Sequence, residues 1–169
     1  MYIVPVIDKA ELLAIGIKKK NKFEYVSNET FSEAEMLAWL KKRLGGETEF
    51  VFYKDKDIAS LFAVAIRHKI DLTAIGDRFV FLYDSLYGLG DFYKVFHEPA
   101  SPYTFSKYIG YNNAEKLVKQ YSALFDAKGD ILKDELRELL DAFEFMRTEL
   151  KNYVDLGMGF LKKYRGRLF

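Results

Sequence analysis

Apolar positions fall into short blocks along the first half of the chain. Residues 2–8, Tyr-Ile-Val-Pro-Val-Ile-Asp, form a β-branched run ending in an acid. Pro5 has no N–H for a ladder, so this strand has a free edge or a bulge there. Residues 11–17 form a second apolar run, the polar turn Lys18-Lys19-Lys20-Asn21-Lys22 follows, and Phe23-Glu24-Tyr25-Val26 alternates like a half-buried strand. Short turns between three such runs predict an antiparallel meander. Phe50-Val51-Phe52-Tyr53 and Phe79-Val80-Phe81-Leu82-Tyr83 predict a fourth and a fifth strand.

Helical periods separate these later strands. Ser32 with Glu35 three residues on is a capping box. Met36, Leu37, Leu40 and Leu44 follow at helical spacing, and Gly45-Gly46 predicts the stop. Ile58, Leu61, Phe62, Ala65 and Ile66 predict a second helix after Lys54-Asp55-Lys56-Asp57. From Tyr83 to Tyr111 the chain is rich in aromatic residues and broken by Gly88, Gly90, Pro99 and Pro102; residues 112–125 then predict a helix. The stripe Leu132, Leu136, Leu139, Leu140, Phe143, Met146, Leu150 and Tyr153 predicts a long helix from about 130 to 154. One domain over residues 1–156, with a basic and apolar tail over 157–169, accounts for the pattern.

Composition narrows the chemistry. The chain has 169 residues, half of them hydrophobic and 17% aromatic, which excludes disorder. Twenty-six basic residues against 25 acidic ones give a net charge of +1, so a nucleic-acid partner must meet a local patch. With no cysteine, disulfide scaffolds, thiol catalysis and zinc ribbons are excluded. No apolar run approaches the ~20 residues that span a bilayer, so the expectation is a cytoplasmic protein without a membrane partner. A single glutamine, Gln120, beside abundant Lys and Glu suggests a thermophile.

The order β-β-β-α-β-α-β followed by helices needs right-handed crossovers. It predicts an α/β fold: a mixed five-stranded sheet, an antiparallel meander plus parallel strands, with helices on both faces. That order, with Val6-Ile7-Asp8, Leu13-Ala14-Ile15-Gly16-Ile17, Phe52 to Ile58, Tyr83-Asp84-Ser85-Leu86, Ser101 to Gly110 and Leu140-Asp141-Ala142, resembles the ribonuclease-H-like 3′–5′ exonucleases. The nearest likeness is to the exonuclease domains of B-family DNA polymerases.

The resemblance implies a nucleic-acid-processing or nucleic-acid-binding protein of DNA replication or repair. It implies Asp8, Asp57 and Asp141 as catalytic residues and ligands of Mg²⁺ or Mn²⁺. The chain also departs from the family. Ala10 stands where Asp-x-Glu has its acid, Glu11 comes one residue late, and Leu136-Arg137-Glu138-Leu139 holds no Tyr or His before Asp141. Exonuclease activity is therefore expected to be weak or absent, and a catalytically dead subunit or scaffold is the alternative. Each acid also has a plain structural role open to it: Asp8 ends a strand, Asp57 caps a helix, and Asp141 lies on a helix surface. Tyr83 and Tyr103 are candidates to stack single-stranded bases. Lys162, Lys163, Arg165 and Arg167 are candidates to track phosphates. Leu168 and Phe169 predict a docked tail, on a protein partner or a second copy of the chain.

Overall fold

A computed structural model describes residues 1–82 and 121–165, with side chains described as far as Phe145 and at Arg147 and Thr148. Its sheet contains β1 (Tyr2–Asp8), β2 (Glu11–Lys19), β3 (Lys22–Ser27), β4 (Phe50–Phe52) and β5 (Phe79–Phe81) in the order β3-β2-β1-β4-β5. The first three strands are an antiparallel meander, and β4 runs parallel to both β1 and β5. The meander and the parallel crossovers predicted from the sequence are both present.

Helices α1 (Glu33–Lys41) and α2 (Asp55–Arg67) cover one face. Met36, Leu37, Leu40, Ile58, Leu61 and Val64 pack there on Ile3, Ile15, Ile17, Phe50 and Phe52. The alternate strand residues Val4, Val6, Ala14 and Val51, with Tyr53 just after β4, meet Leu132, Leu136, Leu139, Leu140 and Phe143 of α3 (Gly129–Arg165) on the other. The period of two along each strand thus feeds two cores, one per face. Gly16 lets α3 approach closely: a Cβ there would lie 3.2 Å from side-chain atoms of Leu136 and Leu140.

The ends of elements follow local chemistry. Ser32 N donates to Glu35 Oε2 at 2.8 Å and Glu35 N to Ser32 Oγ at 3.4 Å, the reciprocal cap the sequence predicts. Arg43 N bonds Leu40 O, and Leu44 N bonds Lys41 O, so α1 tightens into i→i+3 turns before Gly45. The long helix passes through Gly157 and Gly159 to Arg165, beyond the end expected near residue 154. A helical glycine costs about 1 kcal/mol relative to alanine, and that does not by itself break a helix. The predicted boundary between 156 and 157 therefore falls inside α3. Of the expected helix over 112–125, residues 121–125 are described: 121–123 are helical and 124–125 form a turn, so the helix stops two residues early.

Pro5 shapes the sheet where a site can form. Val51 N donates to Met1 O at 2.8 Å, and Tyr2 pairs with Val51 between β1 and β4. By two-residue alternation, Pro5 turns the same side towards β4 and has no N–H to extend the ladder. One residue further, the β1–β2 register shifts between Val6 and Ile7.

Candidate functional site

A cavity of about 700 Å³ lies beyond Pro5, between the carboxyl end of β1 and the side of α2. The chain leaving β1 turns towards β2, while the chain leaving β4 continues through α2 towards β5. Neighbouring parallel strands whose connections depart in opposite directions leave a crevice at their carboxyl ends, where ligands bind in open α/β sheets.

Asp8 and Asp57 both line this cavity. Asp8 is the last residue of β1 and is exposed. Asp57 is the third residue of α2 and caps it: Asp57 Oδ2 accepts from Lys54 N at 3.0 Å. Its other oxygen accepts from the Tyr121 hydroxyl. Burial pushes the Asp57 carboxyl above its usual range, against the lowering effect of the Tyr121 and Lys54 bonds. Burial and the facing carboxylate also raise the Tyr121 hydroxyl, which stays a donor. Tyr121 is braced by Tyr53, at 4.6 Å between ring centroids, and Tyr53 stacks on Phe143 of α3 at 5.2 Å.

Asp141 is placed elsewhere. Lys18 Nζ donates to Asp141 Oδ1 at 2.6 Å and lies 2.5 Å from Glu144 Oε2. Lys18 pairs across the sheet with Tyr2, the first residue of β1, whereas Asp8 is the last. Seven residues of strand put about 20 Å between those ends. The expected convergence of Asp8, Asp57 and Asp141 is thus not produced, because α3 crosses the sheet with Asp141 at the far end of β1. Burial works to lower the Lys18 ammonium, but the two carboxylates outweigh it and hold it above its ordinary value.

Glu11 does not replace the missing acid. It is the cross-strand partner of Asp8, closing a two-residue hairpin, and it lines a separate hollow beside Asn28 and Ser32. Among the described residues no three His, Asp or Glu side chains gather as a metal-holding group. A two-metal centre needs carboxylates converging on ions ~4 Å apart. With both Asp57 oxygens engaged and Asp141 remote, these residues do not fit one.

The cavity is instead rich in cations that no sequence motif marks. Lys9, Lys54, Lys56 and Arg67 line it, four cations against two carboxylates. Lys56, Ser60, Ala63 and Arg67 recur along α2 at helical spacing, so they share one face, and the small pair leaves room between the charged ends. That spacing was the available signal. Arg67 is also committed to structure. It donates to both Glu33 oxygens, at 2.8 and 2.7 Å, where His68 Nε2 and the Leu12 N–H also bind. Partial burial works upward on Glu33, but those bonds hold its carboxyl below its usual range.

No family model, curated protein or solved structure matches this chain.

Tyr83, Tyr103 and Arg167 lie outside the described residues. Lys162, Lys163 and Arg165 fall on the last turns of α3 by backbone position. Among the described residues no helix is long and apolar enough to cross a membrane.

Proposed function

We propose that the chain is a single-stranded nucleic-acid-binding protein on a ribonuclease-H-like sheet, with an exonuclease-like site that does not cleave. The element order and the mixed sheet support the fold assignment. The observation that supports the function is the cavity at the end of β1, which brings Asp8 and Asp57, two of the acids the exonuclease resemblance implies, together with four cations and with Tyr121 and Phe125. Lysines on the rim draw in backbone phosphates, releasing counterions as they do so. The aromatic wall receives a base, worth about 1–3 kcal/mol when stacked. Asp8 accepts hydrogen bonds from amino or hydroxyl groups of the strand. Asp57 serves as a cap and as the anchor for Tyr121.

The test is incubation of an end-labelled single-stranded oligonucleotide with excess protein and Mg²⁺ or Mn²⁺. The oligonucleotide is expected to be bound at low salt and to keep its full length. Rapid shortening that Asp8→Ala abolishes would overturn the reading.

A further inference from the structure

The cavity combines three features: its charge, the small residues that line it and the turn at its edge. The first is its charge. Two of its cations have structural occupations: Arg67 serves Glu33, and Lys54 Nζ lies over the Tyr53 and Tyr121 rings at 5.3 and 6.0 Å. Lys9 and Lys56 are exposed and form no ion pair among the described residues. The second is the small side chains of its lining: Ala10, Ser60 and Ala63 leave a bay between the β1–β2 turn and α2.

The third is backbone strain at the rim. Lys9 and Ala10 carry φ of 47° and 69°, the left-handed region that a tight hairpin demands and that glycine or asparagine supplies at least expense. The next hairpin repeats the pattern with Lys20 at 48° and Asn21 at 64°, so the two turns differ at the second position, where asparagine stands in place of Ala10. The turn places Lys9 on the lining of the cavity, with the small Ala10 beside it.

We infer that this bay binds the terminal phosphate monoester of a nucleic-acid strand without a metal, with the Lys9 and Lys56 ammonium groups supplying the charge that divalent ions would otherwise supply. The assignment rests on the nucleic-acid reading and specifies which part of the strand is gripped. With Arg67 held by Glu33, the charges left to a ligand are those of the two exposed lysines, Lys9 and Lys56, and a pair of cations matches the dianion of a monoester better than the single charge of an internal diester. A volume of about 700 Å³ is enough for one terminal nucleotide and too small for a folded strand.

The experiment compares the intact protein, in EDTA, with a 5′-phosphorylated oligonucleotide, a 3′-phosphorylated one and the same sequence unphosphorylated. Inorganic phosphate is the small-molecule probe, read by melting temperature. One of the phosphorylated strands is expected to bind about tenfold more tightly than the unphosphorylated one. Phosphate is expected to raise the melting temperature. Both effects should vanish in Lys9→Ala and Lys56→Ala and return in Lys56→Arg. Both lysines are exposed, so the variants keep the core intact. Equal binding of all three strands overturns the inference and leaves the nucleic-acid reading standing. A preference that arises only when Mg²⁺ is added also overturns it. Stabilisation by phosphate, lost in the lysine variants, without binding of any oligonucleotide supports the anion site and overturns the nucleic-acid reading.

Discussion

The Tyr121 hydroxyl donates to Asp57 Oδ1, tying the segment that precedes α3 to the first turn of α2. Asp57 thereby serves two structural masters, since its second oxygen caps the Lys54 N–H. Burial is the largest influence on this carboxyl and raises it above its unfolded value. A group raised in this way favours the folded state below the unfolded carboxylate range, ~3.9, and loses that contribution as pH rises through its folded value.

Asp57→Asn removes the titration and keeps one acceptor, the amide oxygen, for the Lys54 N–H, while its NH2 can donate to the Tyr121 hydroxyl oxygen in place of the bond it accepted. At pH 7 the variant should be within about 1 kcal/mol of the parent or more stable. At pH 4 the parent should gain relative to it. Urea midpoints at the two pH values check this, and a gap that does not change with pH contradicts it.

Much of the fold is legible in the sequence because it rests on local rules. Alternation marks the strands, Ser32 and Glu35 mark the start of α1, and the leucine stripe of α3 is the one that packs on the sheet. The site is legible only in part. Asp8 and Asp57 are placed by their own elements, at a strand end and a helix start. Asp141 depends on where α3 crosses the sheet, which no local pattern encodes. Its partner Lys18 lies 123 residues away along the chain. The cation-rich wall is hidden in the sequence for a similar reason: Lys9 comes from a hairpin and Lys56 from a helix, and only the fold brings them to one cavity.

Lys18 and Asp141 should separate by stability rather than by binding. The Lys18 side chain is 10% exposed and faces two carboxylates, while Asp141 is 55% exposed and shares its lysine with Glu144. Lys18→Met is expected to lose about 1–3 kcal/mol, because it strands two acids against a sheet. Asp141→Asn is expected to lose less than about 1 kcal/mol and to leave oligonucleotide affinity unchanged. Chemical denaturation and an anisotropy titration read both effects, and a loss of binding in Asp141→Asn would restore that residue to the site.

Ala10→Gly should stabilise the protein. Ala10 holds φ at 69°, and relief of that strain is partly offset by the greater freedom of glycine in the unfolded chain. The expected net gain is about 0.5–1 kcal/mol, read as a rise in the urea midpoint at constant slope. A fall in stability would mean that the turn carries no strain.

Whether the cavity lysines hold the phosphates of a single strand is decided by the salt dependence of binding in EDTA, for the parent and for Lys9→Ala combined with Lys56→Ala. Each cation withdrawn from a strand phosphate makes the slope of log affinity against log salt shallower by about 0.7. The double variant should therefore bind more weakly, with a slope shallower by about 1.4. Unchanged affinity and slope in the double variant, or a parent protein that fails to bind at low salt, would contradict the nucleic-acid reading of this cavity.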